Sequence, residues 1–307
     1  MHPGYTEHHY QSVDGLSLYY RNYGSSNHVL VCLPGLSRNS KDFEELALRY
    51  APQWRVITPD LRGRGQSDRD PDPSRYQHLT YTNDIWKLVD ELEVQNFVIL
   101  GTSLGGLIAM LMATQQPNRL PGIILNDIGP VIPDEAASRI TQYVGRIPAE
   151  PNWQAAAGRV REVYATTFPD RPESFWLSHA HLSMRETSTG SIVPDMDPAI
   201  GRFLRKSYRK VKLVRFLRRV GLMKNAAALI SDGYWQQFSE MSMPILLLHG
   251  VLSDVLPEET VEKMQAIHPE MEITTVADRG HAPFLDEPEA LAAIDTFLER
   301  LKRTGSE

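Results

Sequence analysis

Phe97-Val98-Ile99-Leu100-Gly101-Thr102-Ser103-Leu104-Gly105-Gly106 is the stretch that decides how this chain is read. Its apolar opening predicts a short strand over 97–100, and the spacing that follows predicts a helix over 104–115. Between them lies G-x-S-x-G, with strand and helix on the sides such a turn requires. A serine on a sharp strand-to-helix turn takes strained backbone angles, so the residues two positions to either side must be small. The turn lifts Ser103 Oγ above a sheet and points the amino end of the next helix at the same place. That end, with the Leu104 N–H, favours a negative oxygen. As a bare string, Gly-Thr-Ser-Leu-Gly would also suit a flexible turn. The flanking elements make Ser103 a candidate nucleophile.

Before this stretch, residues 10–13 and 16–20 flank Asp14-Gly15 and predict a hairpin. Strands are predicted over 28–33 and 55–58, and helices over 41–50 and 81–92. A further strand follows over 122–125. Strand–helix alternation with near-continuously apolar strands implies a parallel sheet covered on both faces. The alternation stops at 129 and resumes with strands at 244–249 and 271–276, each followed by a helix (258–267 and 288–300). Residues 129–243 are helical in pattern, broken by prolines and without convincing strands. That is too long for a structureless loop. The expected organisation is a core of 1–128 and 244–307, with 129–243 as a mostly helical cap over the carboxyl edge, where open α/β sheets bind ligands.

A serine hydroxyl needs a neighbouring base. Of ten histidines, His281 stands out, in Asp278-Arg279-Gly280-His281-Ala282-Pro283 after the last strand. His249 ends a strand and is its rival; His268 ends a helix before Pro269, and His179 and His181 fall in the insertion. The acid should lie between serine and histidine in the chain. Asp254, on the loop leaving the strand 244–249, is the favoured candidate to hold the imidazole. Asp127, ending the strand 122–125, competes for the same role. A second oxyanion donor should come from Pro34-Gly35-Leu36, so the N–H groups of Leu36 and Leu104 form the expected oxyanion hole, with Gly35 permitting close approach.

Composition narrows the function classes. A net charge of −6 over 307 residues argues against nucleic acid as partner. The single cysteine, Cys32, lies in an apolar run as a buried thiol; it allows no internal disulfide or thiolate cluster, and a reducing cytoplasmic setting is expected. No signal peptide or membrane-spanning run is read. His2, His8 and His9 read as a frayed polar terminus, not a metal site. Residues 202–219 are dense in Arg and Lys, with Phe203, Tyr208, Val211, Val214 and Leu217 near helical spacing. A solvated helix with one buried face is the reading, against attraction of acidic lipid or anionic substrates; contact with a membrane surface is not expected. Some of Trp153, Phe168, Phe175, Trp176, Tyr234 and Trp235 are expected to line an apolar pocket.

The strand-Gly-x-Ser-x-Gly-helix unit, the segment Asp60-Leu61-Arg62-Gly63-Arg64-Gly65-Gln66-Ser67-Asp68 and the late Gly280-His281 together resemble the α/β-hydrolase superfamily, in order along almost the whole chain. Within it the chain resembles cap-bearing carboxylesterases, enol-lactonases and carbon–carbon bond hydrolases. The resemblance implies a mostly parallel sheet of about eight strands with helices on both faces, no cofactor and no metal, and a structural turn at 60–68. Leu33-Pro34-Gly35 stands where a His-Gly pair is frequent, but a backbone donor needs no such side chain. Ser103 argues against the aspartate nucleophile of haloalkane dehalogenases and most epoxide hydrolases. Ala282 stands where carbon–carbon hydrolases often carry Trp.

The expectation is hydrolysis of small to medium carboxylic esters by an acyl-enzyme route, with a small-molecule ester as partner and the oligomeric state open. Lactone opening or carbon–carbon cleavage on the same residues is the alternative. A non-catalytic binding module is the third reading.

Overall fold

The computed structural model describes residues 4–219 and 226–304, with side chains over 4–213 and 233–303. Its chain order opens with β1 (Thr6–Gln11), β2 (Ser17–Tyr23), β3 (Val29–Leu33), α1 (Glu44–Tyr50) and β4 (Arg55–Pro59). There follow α2 (His78–Glu91), β5 (Val98–Thr102), α3 (Leu104–Gln115) and β6 (Ile123–Asn126). The insertion holds α4 (Asp134–Tyr143), α5 (Trp153–Tyr164), α6 (Glu173–Ser183), β7 (Met184–Glu186), β8 (Ile192–Pro194), α7 (Pro198–Arg219) and α8 (Ala226–Ser239). The chain then returns through β9 (Ile245–Gly250), α9 (Glu258–Ile267), β10 (Glu272–Val276) and α10 (Pro288–Thr304).

Eight strands form one sheet in the order β1-β2-β4-β3-β5-β6-β9-β10. The first hairpin pairs antiparallel, β2 runs antiparallel to β4, and every later neighbour is parallel. Period-two alternation explains the layers. Val29, Val31, Ile99, Ile123, Leu125 and Leu247 face one side with α2 and α3. Leu30, Cys32, Val98, Leu100, Ile124 and Leu246 face the other with α1 and α10. With both faces covered, the central strands are near-continuously apolar, with polar residues only at their carboxyl ends.

Three local expectations change. Residues 12–16 form the first turn, closed by Ser12 N to Leu16 O at 2.9 Å, so β1 starts earlier than the pattern suggested. His8 and His9 lie on that strand, stacked on Tyr20 and edge-on to Tyr19, and are not frayed; His2 lies outside the described residues. The insertion is not strand-free either. β7 and β8 pair antiparallel, Met184 opposite Pro194; three-residue strands are too short to show as alternation.

The insertion has its own core of Ala156, Val160, Phe168, Trp176, Ala180 and Met184. It is tied to the loops at the carboxyl ends of the strands: Asn39 Nδ2 donates to Leu182 O at 3.2 Å, and Gly280 N donates to Thr167 O at 2.8 Å. Among the described residues, no helix is long and apolar enough to cross a membrane.

Candidate active site

Ser103 joins β5 to α3 with φ 52° and ψ −113°, a left-handed conformation that non-glycine residues rarely adopt. The glycines around it are required by contact. A Cβ on Gly101 would meet the Gly105 backbone at 2.4 Å, and one on Gly105 would meet the Leu33 carbonyl oxygen at 2.1 Å. Strand, turn and helix are thus packed backbone on backbone. The turn is held by Ser103 N donating to Asn126 O at 3.1 Å, and by Gly106 N and Leu107 N donating back to Ser103 O.

His281 reaches this serine from the loop after β10. Its Nε2 lies 2.7 Å from Ser103 Oγ, and its Nδ1 lies 2.8 Å from Asp127 Oδ2. The carboxylate only accepts, so Nδ1 carries the proton and Nε2 is left to accept from the Ser103 hydroxyl. Asp127 follows β6 at φ 57° and is fully buried. Its charge is met by donors on every side. Oδ1 accepts from Gly250 N at 2.9 Å, while Oδ2 also accepts from Ser253 Oγ at 2.5 Å. Burial of a carboxylate is tolerable under such solvation by hydrogen bonds.

Asp254, the favoured acid in the sequence, does not face His281. Its side chain is 47% exposed and pairs with Arg139 at 2.6 Å. The neighbouring Ser253 is the residue of that loop which points inward, onto Asp127. The physical reason is the sheet order. β6 lies next to β5, whereas β9 lies one strand further from Ser103. The His281 loop crosses over the end of β9, with Leu252 N donating to Arg279 O at 2.7 Å, and its Pro283 carbonyl accepts from Asn126 Nδ2 at 2.9 Å. The imidazole is thereby delivered to the ends of β5 and β6. His249 is buried, with Nε2 3.0 Å from Leu256 O, and His268 Nε2 lies 2.6 Å from Phe238 O; neither approaches the serine.

The 34–36 loop runs beside Ser103: a Cβ on Gly35 would stand 3.8 Å from the serine's own. The Leu36 carbonyl accepts from Arg64 Nε at 2.9 Å, which orients the peptide. Among the described residues, the Leu36 N–H donates to no backbone carbonyl, and the Leu104 N–H opens α3 with no partner inside the helix. Arg64 is itself fixed by Tyr81 Oη and the Arg62 carbonyl. The 60–68 turn, read as structural, thus also braces this loop. Burial pushes the Cys32 thiol well above its usual range, as its apolar run suggested.

A cavity of about 50 Å³ lies between the insertion and Ser37-Arg38, walled by Tyr143, Val160, Tyr164 and Met196. None of the six aromatics expected to line a pocket is among its walls. Phe168 and Trp176 are buried in the insertion's core, Trp153 stacks on His181 at 3.8 Å, and Trp235 carries Lys263 over its ring.

Sequence reasoning also missed a latch on the His281 loop. Glu287, buried, accepts from Arg279 Nε at 2.7 Å, Leu285 N at 3.0 Å and Arg171 Nη2 at 3.1 Å. Arg171 also grips Asp286, and Arg279 grips Asp170. Phe284 packs on Phe168 and Phe175 of the insertion. His179 joins that aromatic group, and burial, together with Arg38 and Arg171, holds its pKa well below the ordinary value. The only sequence sign of this latch is the charge density of 278–287. Among the described residues, no group of three or more His, Cys, Asp or Glu side chains is placed to hold a metal ion.

The family model described as "alpha/beta hydrolase fold" matches residues 28–288. A 3-hydroxybutyrate-oligomer hydrolase of Cupriavidus necator is 29% identical over 88% of this chain and 88% of its own length. An alpha/beta hydrolase from Novosphingobium aromaticivorans is 38% identical, covers 97% of this chain and 99% of its own, and superposes with a TM-score of 0.83. A putative hydrolase from Rickettsia typhi shares the fold at 23% identity and a TM-score of 0.81, covering 96% of this chain and 99% of its own.

Proposed function

This chain belongs to the alpha/beta hydrolase fold family, and we propose that within it the chain is a serine hydrolase of carboxylic esters. The observation that carries this reading is the line Ser103 Oγ–His281–Asp127, at 2.7 and 2.8 Å. In the proposed reaction Ser103 Oγ attacks the ester carbonyl while His281 Nε2 takes its proton, and Asp127 stabilises the imidazolium that forms. The oxyanion lies between the N–H groups of Leu36 and Leu104, each worth about 3–4 kcal/mol at comparable sites. Protonated His281 gives its proton to the departing alkoxide. It then activates water to release the acid from Ser103.

The insertion acts as a cap, and the small apolar cavity behind Ser37 favours short acyl groups. The Cupriavidus relative, named for oligomers of a short hydroxy acid, supports the same size class. Hydrolysis of nitrophenyl esters from acetate to decanoate, and of 3-hydroxybutyrate dimer and trimer, by wild type and Ser103→Ala tests this. Activity on the shorter esters that falls by up to about 10⁶-fold in the variant is the expected result. A folded wild type inert to every ester would overturn the reading and leave lactones, carbon–carbon substrates or a binding role.

A further inference from the structure

The proposed reaction leaves a strongly charged groove on the insertion without a role. Arg202, Arg205, Lys206, Arg209 and Lys210 recur along α7 at spacings of three and four residues, so they share one face of the helix. Arg146, from the loop after α4, forms the opposite wall, and the space between is about 520 Å³. Phe203 and Leu204, on the helix's other side, pack against the core. The face that would be a second apolar stripe is cationic instead.

A solvated helix face ordinarily mixes signs, because like charges three or four residues apart repel. This one does not. The chain carries 38 acidic residues against 32 Lys and Arg, yet among the described residues no carboxylate pairs with any of these six cations. Arg205 is held by backbone carbonyls, donating to Val144 O at 2.8 Å. Burial and the neighbouring Arg146, Arg202 and Arg209 lower its pKa, a cost that an anion in the groove would relieve.

We propose that this groove binds ligands carrying two or more phosphate charges. Guanidinium forks match phosphate oxygens in pairs. Cations repeated over roughly 12 Å of helix suit a ligand whose charges are likewise spaced. A phosphorylated small molecule and the headgroups of an anionic lipid surface present the same chemistry, and experiment separates them.

The test uses the full chain at low ionic strength with two probes: sodium tripolyphosphate by titration calorimetry, and phosphatidylglycerol-containing vesicles by co-sedimentation. Wild type is compared with K206Q/R209Q/K210Q and with R69Q/K87Q/R303Q, which removes as much charge elsewhere. Arg146→Gln probes the opposite wall without altering the helix, should the triple variant fail to fold. Binding that weakens about tenfold or more in the groove variants, but not in the control, supports the site. Response to tripolyphosphate identifies a free phosphate ligand; response to vesicles alone identifies the headgroup. No binding of either probe, or equal loss in groove and control variants, overturns it.

Discussion

Asp127 and His281 stand 154 residues apart in the chain and meet at 2.8 Å, while Asp254, nearer to His281 in sequence, faces solvent and Arg139. Asp127→Asn removes the acceptor that holds Nδ1–H toward the carboxylate. It is expected to lower kcat on a nitrophenyl ester by on the order of 10³–10⁴-fold with the fold intact. Asp254→Asn should stay within about twofold. A reversed ranking of the two variants would reject Asp127 as the orienting acid.

Glu287 is 3% exposed and joins the His281 loop to the insertion through Arg279 and Arg171. Glu287→Gln leaves two guanidinium groups short of a charged acceptor and is expected to cost about 2–4 kcal/mol in urea unfolding. It should also lower kcat, because the loop it holds carries His281. Glu91→Gln, which breaks an exposed pair with Lys87, should cost less than about 0.5 kcal/mol. Equal, small effects from both would show that the latch does not hold the loop.

His179 supplies a pH dependence. Its pKa lies well below the ordinary 6.5 because burial and two nearby arginines oppose protonation. Below pH 6.5 the unfolded chain takes up a proton at this position and the folded chain does not. Stability is therefore lost as pH falls through that value, by about 1 kcal/mol per pH unit. His179→Leu should flatten the fall in unfolding free energy between pH 6 and 5 by about that amount. Parallel pH curves for variant and wild type would show that His179 is protonated in the fold.

Gly105 and Gly158 separate packing from propensity. An Ala at 105 would put its Cβ 2.1 Å from the Leu33 carbonyl oxygen, whereas at 158 on α5 nothing lies within 4 Å. Gly105→Ala is expected to cost about 3 kcal/mol or more and to displace the 34–36 loop with it. Gly158→Ala should add about 0.5–1 kcal/mol by helix propensity. Thermal melts of both decide the matter, and a tolerated Gly105→Ala would show that the turn is less tightly packed than its backbone contacts indicate.

Much of the molecule was legible in residue order alone. The strand–turn–helix around Ser103 follows from local backbone chemistry: glycines where no Cβ fits, apolar runs on one side, helical spacing on the other. The parallel sheet follows from strands that are near-continuously apolar, and the His281 loop from its place after the last strand. What only the tertiary structure decided is which carboxylate lies beside that histidine. Asp127 and Asp254 both leave strands at the same sheet edge, and local sequence gives each the means to reach inward. Strand order and the path of 278–287 over β9 bring His281 to β6, so a contact spanning 154 residues was selected over one to a residue much nearer in the chain. The same holds for Glu287 and Arg64. Their neighbours come from distant segments, and proximity of that kind is a property of the packed chain that no local pattern encodes.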